Sequence, residues 1–386
     1  MAHAARRAGL SALALAGQRA HEARLIDGLE IAVVERLESA VRVLNGEPGD
    51  PLPAPTRSAL GEAAGASAPE LGEVLGQHHA VRALIIAAAG GHNLLLSGSP
   101  GTGKTMLAQR LPAILPSLSD AEAIDVTRIH GLLRGDVEGL VRRRPFRAPH
   151  HSVTAAGLIG GASRGWVGEA VLAHNGVLFL DELAEFSRQA LEALRQPLEE
   201  GRVVIARARR AAAYPARFML VGATNPCPCG MAAELERCPC TEAELARHRR
   251  RLSGPLQDRI DLLAVMRRER GVGGERSPLM STQRARERVL LARERQARRL
   301  QGERVQLNAR MDASMLARHV RLDARGGELL RSAGEQGMLS ARGQHRVLRV
   351  ARTIADLSGS RYVAARHVGA ALAMRPECAP ATRTPA

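Results

Sequence analysis

Lysine is almost absent from this chain. Of the 55 basic residues among 386, Lys104 is the lone lysine and the other 54 are arginine. A chain that uses arginine wherever a generic cation will serve keeps an ammonium only where one is needed, because arginine's planar fork and lysine's point charge are not interchangeable at tight sites. Aromatic residues are also scarce, 2% of the chain against 45% hydrophobic residues in all. The core must therefore be built from Ala, Leu and Val, which favours helices and α/β layers over an all-β sandwich. No apolar run approaches the roughly 18 residues of a membrane span, so no membrane partner is expected. Arg6-Arg7 followed by Leu10 to Ala16 imitates a signal peptide, but the apolar part is short and Ala-rich. Five cysteines in a chain of this size exclude a disulfide scaffold. Four of them cluster, which points to a metal in a reducing compartment and makes the cytoplasm the default location.

What is abundant is positive charge, +16 overall, and it is unevenly placed. Residues 1–240 hold 25 basic and 24 acidic groups, whereas residues 241–386 hold 30 and 15. The C-terminal part is thus either a polyanion contact or an arginine-rich solvated helical surface.

Along the chain, residues 1–45 are Ala- and Leu-rich, and 46–70 are dense in Pro, Gly and Ala, which reads as a linker. Gln77 to Ala89 is expected to be helical. Asn93 to Ser97, Val177 to Leu180 and Phe218 to Gly222 are short apolar runs, expected to be buried parallel strands. Strands alternating with helices over 71–267 predict an open parallel sheet with ligands at the carboxyl ends of its strands. A second linker spans 268–282, a helical segment 283–374, and a frayed Pro-rich tail 375–386.

The first strand feeds into Gly98-Ser99-Pro100-Gly101-Thr102-Gly103-Lys104-Thr105, the G-x-x-x-x-G-K-[ST] phosphate loop in its strand-loop-helix context. Glycines let backbone N–H groups turn inward around a phosphate, and the following helix presents its positive end. Lys104 is expected at the β- and γ-phosphates of ATP and Thr105 on Mg2+; Met106 next to them also counts among the nucleotide-binding positions. Asp181-Glu182, closing the second strand, supplies a carboxylate for Mg2+ and one to orient and deprotonate an attacking water.

Together these motifs resemble those of an AAA+ ATPase. Flanking stretches resemble a narrower branch, the magnesium chelatase-like proteins of the ComM/YifB type. They are Ala87 to Asn93, Arg144-Pro145-Phe146-Arg147-Ala148-Pro149-His150-His151, Leu172 to Gly176, Thr224-Asn225-Pro226-Cys227-Pro228-Cys229-Gly230, and Ser253 to Asp261. The resemblance implies an α/β fold, a P-loop AAA+ parallel sheet flanked by helices, followed by an all-helical C-terminal lid. It implies that Asn225 is the sensor positioning the hydrolytic water. Arg259 matches the arginine finger that reaches a neighbouring subunit's nucleotide, and Arg342, with Arg346 as competitor, matches the second sensor in the helix Ser340 to Leu357. A finger acting in trans implies a homo-oligomer, most simply a hexameric ring. Residues 1–45 resemble the final portion of the family's N-terminal Lon-protease-like (S5-like) domain, here truncated or cut by a misplaced start.

Cys227-x-Cys229 and Cys238-x-Cys240 could close a tetrahedral Zn2+ site, the alternatives being free thiols or a labile disulfide; Cys378, in the tail, is given no role. Two basic elements invite a DNA reading: Arg142-Arg143-Arg144 with Arg147, His150 and His151, leading into the glycine-rich stretch Gly157 to Gly168, and an expected hairpin Arg202 to Arg217 with Arg207, Arg209 and Arg210 near its tip. Each could track phosphates in a ring's pore or be solvated charge. With Trp166 the lone tryptophan, backbone electrostatics would outweigh base stacking. The family resemblance implies an ATP-driven motor on single-stranded or branched DNA, in branch migration or unwinding during recombination or transformation. The alternatives are a chelatase-type motor driving metal insertion into a porphyrin and a weakly active nucleotide-dependent scaffold.

Overall fold

Charge-free runs of Leu, Val and Ala set the architecture. A computed structural model describes residues 2–17, 20, 23–24, 28–52, 69–134, 140–161, 167–207, 210–231, 238–252, 256–268 and 280–375. The expected features at Trp166, Arg209 and Cys378 lie outside these residues, as do most of both linkers and the tail beyond Arg375.

The chain divides into two compact units, residues 1–66 with 117–143, and 67–116 with 144–386. In the first, β1 (Ala12–Leu15) and β2 (Glu30–Val33) pair in parallel, Ala12 opposite Glu30. Leu15, Leu29, Ile31 and Val33 form a small core with Ala2, Ala5, Ala20 and Ala23. Residues 117–143 lie within the expected ATPase segment by sequence; by contacts they belong with this N-terminal unit.

In the second unit β3 (Leu94–Gly98), β4 (Phe146–Arg147), β5 (Val177–Leu180), β8 (Met219–Thr224) and β9 (Leu262–Met266) form a five-stranded sheet in the order β4-β5-β8-β3-β9. Every pairing in it is parallel. β5 and β8 are buried at every position, as strands must be when helices cover both faces. Three of the five strands match the expected runs to within two residues. β4 and β9 fall outside the expected runs: the first is two residues long, and the second has alternating burial and follows a polar turn. Between β5 and β8 the chain makes an antiparallel hairpin, β6 (Arg202–Arg207) and β7 (Arg210–Pro215), with Arg207 opposite Arg210 at its closed end. It is the hairpin the sequence predicts.

The C-terminal region is helical, as expected. Side chains of Ser281, Asp312, Asp323 and Ser340 accept hydrogen bonds from the third amide of the helices Thr282–Arg299, Ala313–His319, Ala324–Glu335 and Ala341–Leu357, so each helix starts at a strong N-cap residue. These helices join the sheet layer through polar contacts as well as apolar ones. Gln296 donates to Ala89 O at 2.9 Å and Arg293 Nε to Ala88 O at 3.0 Å, both carbonyls in the helix His78–Gly90 that leads into β3. At the centre Asp356, 1% exposed, accepts from Arg299, Arg352 and Asn308 at 2.6 to 3.2 Å.

Removing that carboxylate would strand two guanidiniums in a dry site. Asp356→Ala is therefore expected to destabilise the helical region by about 3–5 kcal/mol, a cost typical of breaking one side of a buried ion pair. Hydrogen exchange of the amides in Ala341–Leu357 should report it as lost protection; protection equal to the unmodified protein's would refute it.

Candidate functional site

The loop after β3 is shaped by close approach and by left-handed turns. A Cβ on Gly98 would lie 2.6 Å from Met266 O and 2.8 Å from Thr102 Oγ1, so the strand can end here only in glycine. Gly101 and Gly103 have φ of +78° and +85°, and Gly103 caps the helix Lys104–Ala108. Ser99 and Thr102 are buried under the turn, with Thr102 Oγ1 donating to Ser99 O at 2.9 Å, while Pro100 and Met106 face solvent.

Lys104 folds back into this loop. Its Nζ donates to Gly98 O at 2.7 Å, Ser99 O at 3.1 Å and Asn225 Oδ1 at 3.1 Å, three oxygens converging on one point charge. Burial lowers its pKa, and the carboxylates of Asp181 and Glu182 oppose that shift. Thr105 Oγ1 donates to Asp181 Oδ2 at 2.6 Å. Two ligands of an octahedral Mg2+ with bonds of about 2.0–2.1 Å stand roughly 2.9 Å apart. The Thr105 and Asp181 oxygens therefore fit neighbouring corners of such a site.

Glu182 has φ +51°, one of two non-glycine residues in the left-handed region among those described. Such a conformation costs about 1–3 kcal/mol and is found where a site needs it. It lifts the carboxylate off the end of β5, leaving it largely exposed and 3.4 Å from His151 Nδ1. The Pro-His-His motif thus has a place beside the expected base that its sequence alone did not reveal.

A second group gathers the expected finger and both second-sensor candidates. Arg259, on the turn Gln257–Arg259, is ion-paired with Glu199. Its pKa is lowered by burial first and then by Arg195, Arg342 and Arg346. Arg346 is buried and 3.2 Å from Asp258, whereas Arg342 is exposed on the first turn of its helix. The turn is fastened to the start of β3: Asn93 Nδ2 donates to Arg259 O at 2.8 Å and Asn93 N to Asp261 Oδ2 at 3.1 Å. Asn93 Oδ1 accepts from Leu220 N, and buried His92 lies 2.8 Å from Thr353 Oγ1, so this motif pair links the sheet, the turn Gln257–Arg259 and the helix Ala341–Leu357.

The four clustered cysteines converge. Their sulfurs all lie within 4.8 Å of one another, with Cys227 to Cys229 at 3.3 Å, Cys229 to Cys238 at 3.7 Å and Cys227 to Cys238 at 3.8 Å. A tetrahedron with Zn–S bonds of about 2.3 Å has edges of roughly 3.8 Å, so the group is of the right size. Burial pushes the Cys229 thiol up, but hydrogen bonds from the Met231 amide and neighbouring sulfurs outweigh it and bring it down to about 7. A thiol so placed gives up its proton to a metal readily.

Several expected DNA-facing arginines are occupied otherwise. Arg144 donates to Pro116 O at 2.6 Å and Asn175 O at 2.7 Å, and Arg147 forms a bidentate pair with Glu169 at 2.6 and 2.9 Å. In the C-terminal excess, Arg293, Arg295, Arg299, Arg352 and Arg375 serve carbonyls or Asp356. Arg143, His150 and Arg342 are exposed, as is Arg202, whose Nε donates to Glu200 at 3.0 Å.

Comparison with known proteins gives concordant matches. Residues 70–272 match the family described as magnesium chelatase, subunit ChlI, and residues 280–375 match the C-terminal region of that subunit. An uncharacterized protein of Mycobacterium tuberculosis is 44% identical over 376 residues, 96% of this chain and 74% of that one. Competence protein ComM of Haemophilus influenzae is 40% identical over 94% of this chain and 71% of its own length, and YifB of Escherichia coli is 40% identical over 92% and 69%. No helix among the described residues is long and apolar enough to cross a membrane.

Proposed function

Because the chain belongs to the magnesium chelatase-like ComM/YifB family, we propose that it is an AAA+ ATPase whose turnover drives movement on DNA. One arrangement carries the nucleotide half: Lys104 held between loop carbonyls and Asn225, next to Thr105 and Asp181 paired at the end of β5. In this reading Lys104 leaves its carbonyls for the β- and γ-phosphate oxygens of ATP, and Thr105 and Asp181 hold Mg2+. When bound, Mg2+ neutralises charge on the phosphates. Glu182 takes the proton of the attacking water, and Asn225 holds that water in line with the γ-phosphate. Arg259 from the adjacent subunit meets the charge that develops, which makes the working form a ring, most simply a hexamer. The four cysteines are read as a Zn2+ site.

The DNA half is supported by the likeness to competence protein ComM and by the β6–β7 hairpin, whose closed end carries Arg207 and Arg210. With little aromatic surface, contact would be to phosphates and independent of sequence. A second reading follows the family's description, magnesium chelatase: a motor subunit whose hydrolysis drives metal insertion into a porphyrin by a partner. ATP hydrolysis measured alone, with single-stranded DNA and with branched DNA separates the two. DNA is expected to stimulate turnover several-fold, with affinity falling steeply as salt rises. Equal rates without salt-sensitive binding would sink the DNA reading.

A further inference from the structure

The four-cysteine knuckle forms part of the wall of the nucleotide site. We infer that the metal it binds, a thiophilic divalent cation of which Zn2+ is the fitting member, holds Asn225 and the phosphate loop in their working positions. The inference rests on the nucleotide reading above and extends it to what assembles that site.

The chain leaves β8 at Thr224, and Asn225 follows, two residues before Cys227. The first cysteine pair then turns at Gly230, whose φ of +80° and N–H bond to Cys227 O at 3.0 Å make a tight knuckle. A Cβ there would lie 2.5 Å from Pro100 Cδ, so the knuckle backbone is seated directly on the phosphate loop. The second pair, Cys238 and Cys240, returns the chain to Thr241, which caps the helix Glu242–Leu252 reciprocally with Glu244. From that helix, buried His248 reaches back to within 2.9 Å of Asn225 O. Asn225 is thus gripped at its carbonyl by the returning helix, while its side-chain oxygen holds Lys104.

What closes this loop onto itself is the sulfur cluster. Cys227 and Cys240 are buried against Leu245, and the Met231 amide points at Cys229 Sγ at 3.4 Å, as an amide does to a ligating thiolate. Four thiols at this spacing gain little from weak S–H contacts, and four bare thiolates would repel one another. A divalent cation at their centre removes that repulsion, and binding free energy then becomes the energy that shapes the knuckle. Through Pro100 and Asn225 the same ordering reaches the two groups that place Lys104. No electron transfer or bond cleavage is involved.

Metal content of the purified, reduced protein is expected to be one zinc per chain. Co2+ substitution should give the visible bands of tetrahedral thiolate coordination. Stripping the metal from the unmodified protein with an organomercurial and a chelator, followed by excess thiol, should weaken binding of a fluorescent ADP analogue. It should also cut turnover by about tenfold or more, the scale on which metal-site surroundings act, and Zn2+ should restore both. Cys238→Ser, at one of the two half-buried cysteines of the cluster, is expected to behave as the stripped protein. Metal-free protein as isolated, with four free thiols or a disulfide, overturns the inference. So does stripped protein that binds and turns over nucleotide like the loaded form, which leaves the nucleotide reading standing. Loaded protein that binds no nucleotide overturns the nucleotide reading and, with it, this one.

Discussion

Lys104→Arg is expected to abolish ATP hydrolysis while keeping the formal charge. The Lys104 ammonium sits among Gly98 O, Ser99 O and Asn225 Oδ1 at 2.7 to 3.1 Å, a cradle fitted to one small charge. A guanidinium is planar and wider, and it cannot place a single donor at that point without displacing Asn225 or the loop carbonyls. It would also leave the charge developing on the γ-phosphate without its donor. Loss of one such donor costs about 10²–10³ in kcat. Phosphate release by the purified variant should therefore fall at least a hundredfold by that measure, with circular dichroism unchanged. Turnover equal to the unmodified protein's would refute the assignment of the site. The composition makes the substitution pointed, since this chain has arginine at 54 of its 55 basic positions and keeps lysine here.

That lysine shows what a sequence can carry by itself. The phosphate loop, β5 ending before Asp181 and β8 ending before Asn225 are contiguous stretches whose apolar runs and following polar residues report their own environment. Helix starts at Ser281 and Ser340 are equally local, being set by one side chain and the third amide beyond it. The two-residue β4 has no run to read, and it exists because Phe146 and Arg147 align with Val177 and Leu178. Grouping of residues 117–143 with the N-terminus depends on contacts across the chain, to which periodicity is blind. The same holds for side chains whose partners are distant. His151 carries no sign in the sequence that it meets Glu182, 31 positions later, and Arg147 looks like a cation for phosphate until Glu169 is found beside it. Charge counts overstate the basic surface for this reason: an arginine buried against a carbonyl counts the same as one facing water.

Arg259→Ala is expected to leave nucleotide binding intact and to lower turnover by about 10³-fold or more, the scale of an arginine finger. The turn that carries Arg259 is fastened to Asn93 just before β3, whereas the chain's own phosphate loop begins at Gly98, at the far end of that strand. At about 3.3 Å per residue the two ends are roughly 16 Å apart, longer than an extended arginine side chain. On the proposed reading, Arg259 would therefore serve a neighbouring subunit's nucleotide rather than its own. In the single chain it pairs with Glu199, among Arg195, Arg342 and Arg346, where burial and like charge both disfavour the protonated guanidinium. A neighbour's phosphates would relieve that repulsion, so ATP should tighten assembly, and sedimentation with and without nucleotide should show larger oligomers with it. Mixing decides the direction of the contact. Arg259→Ala chains keep Lys104, and Lys104→Arg chains keep Arg259, so a mixed ring contains interfaces where an intact loop faces an intact finger. Equimolar mixtures of the two inactive variants should regain part of the lost rate. A mixture as inactive as its components, in assemblies shown to contain both chains, would mean that Arg259 acts within its own subunit or not at all.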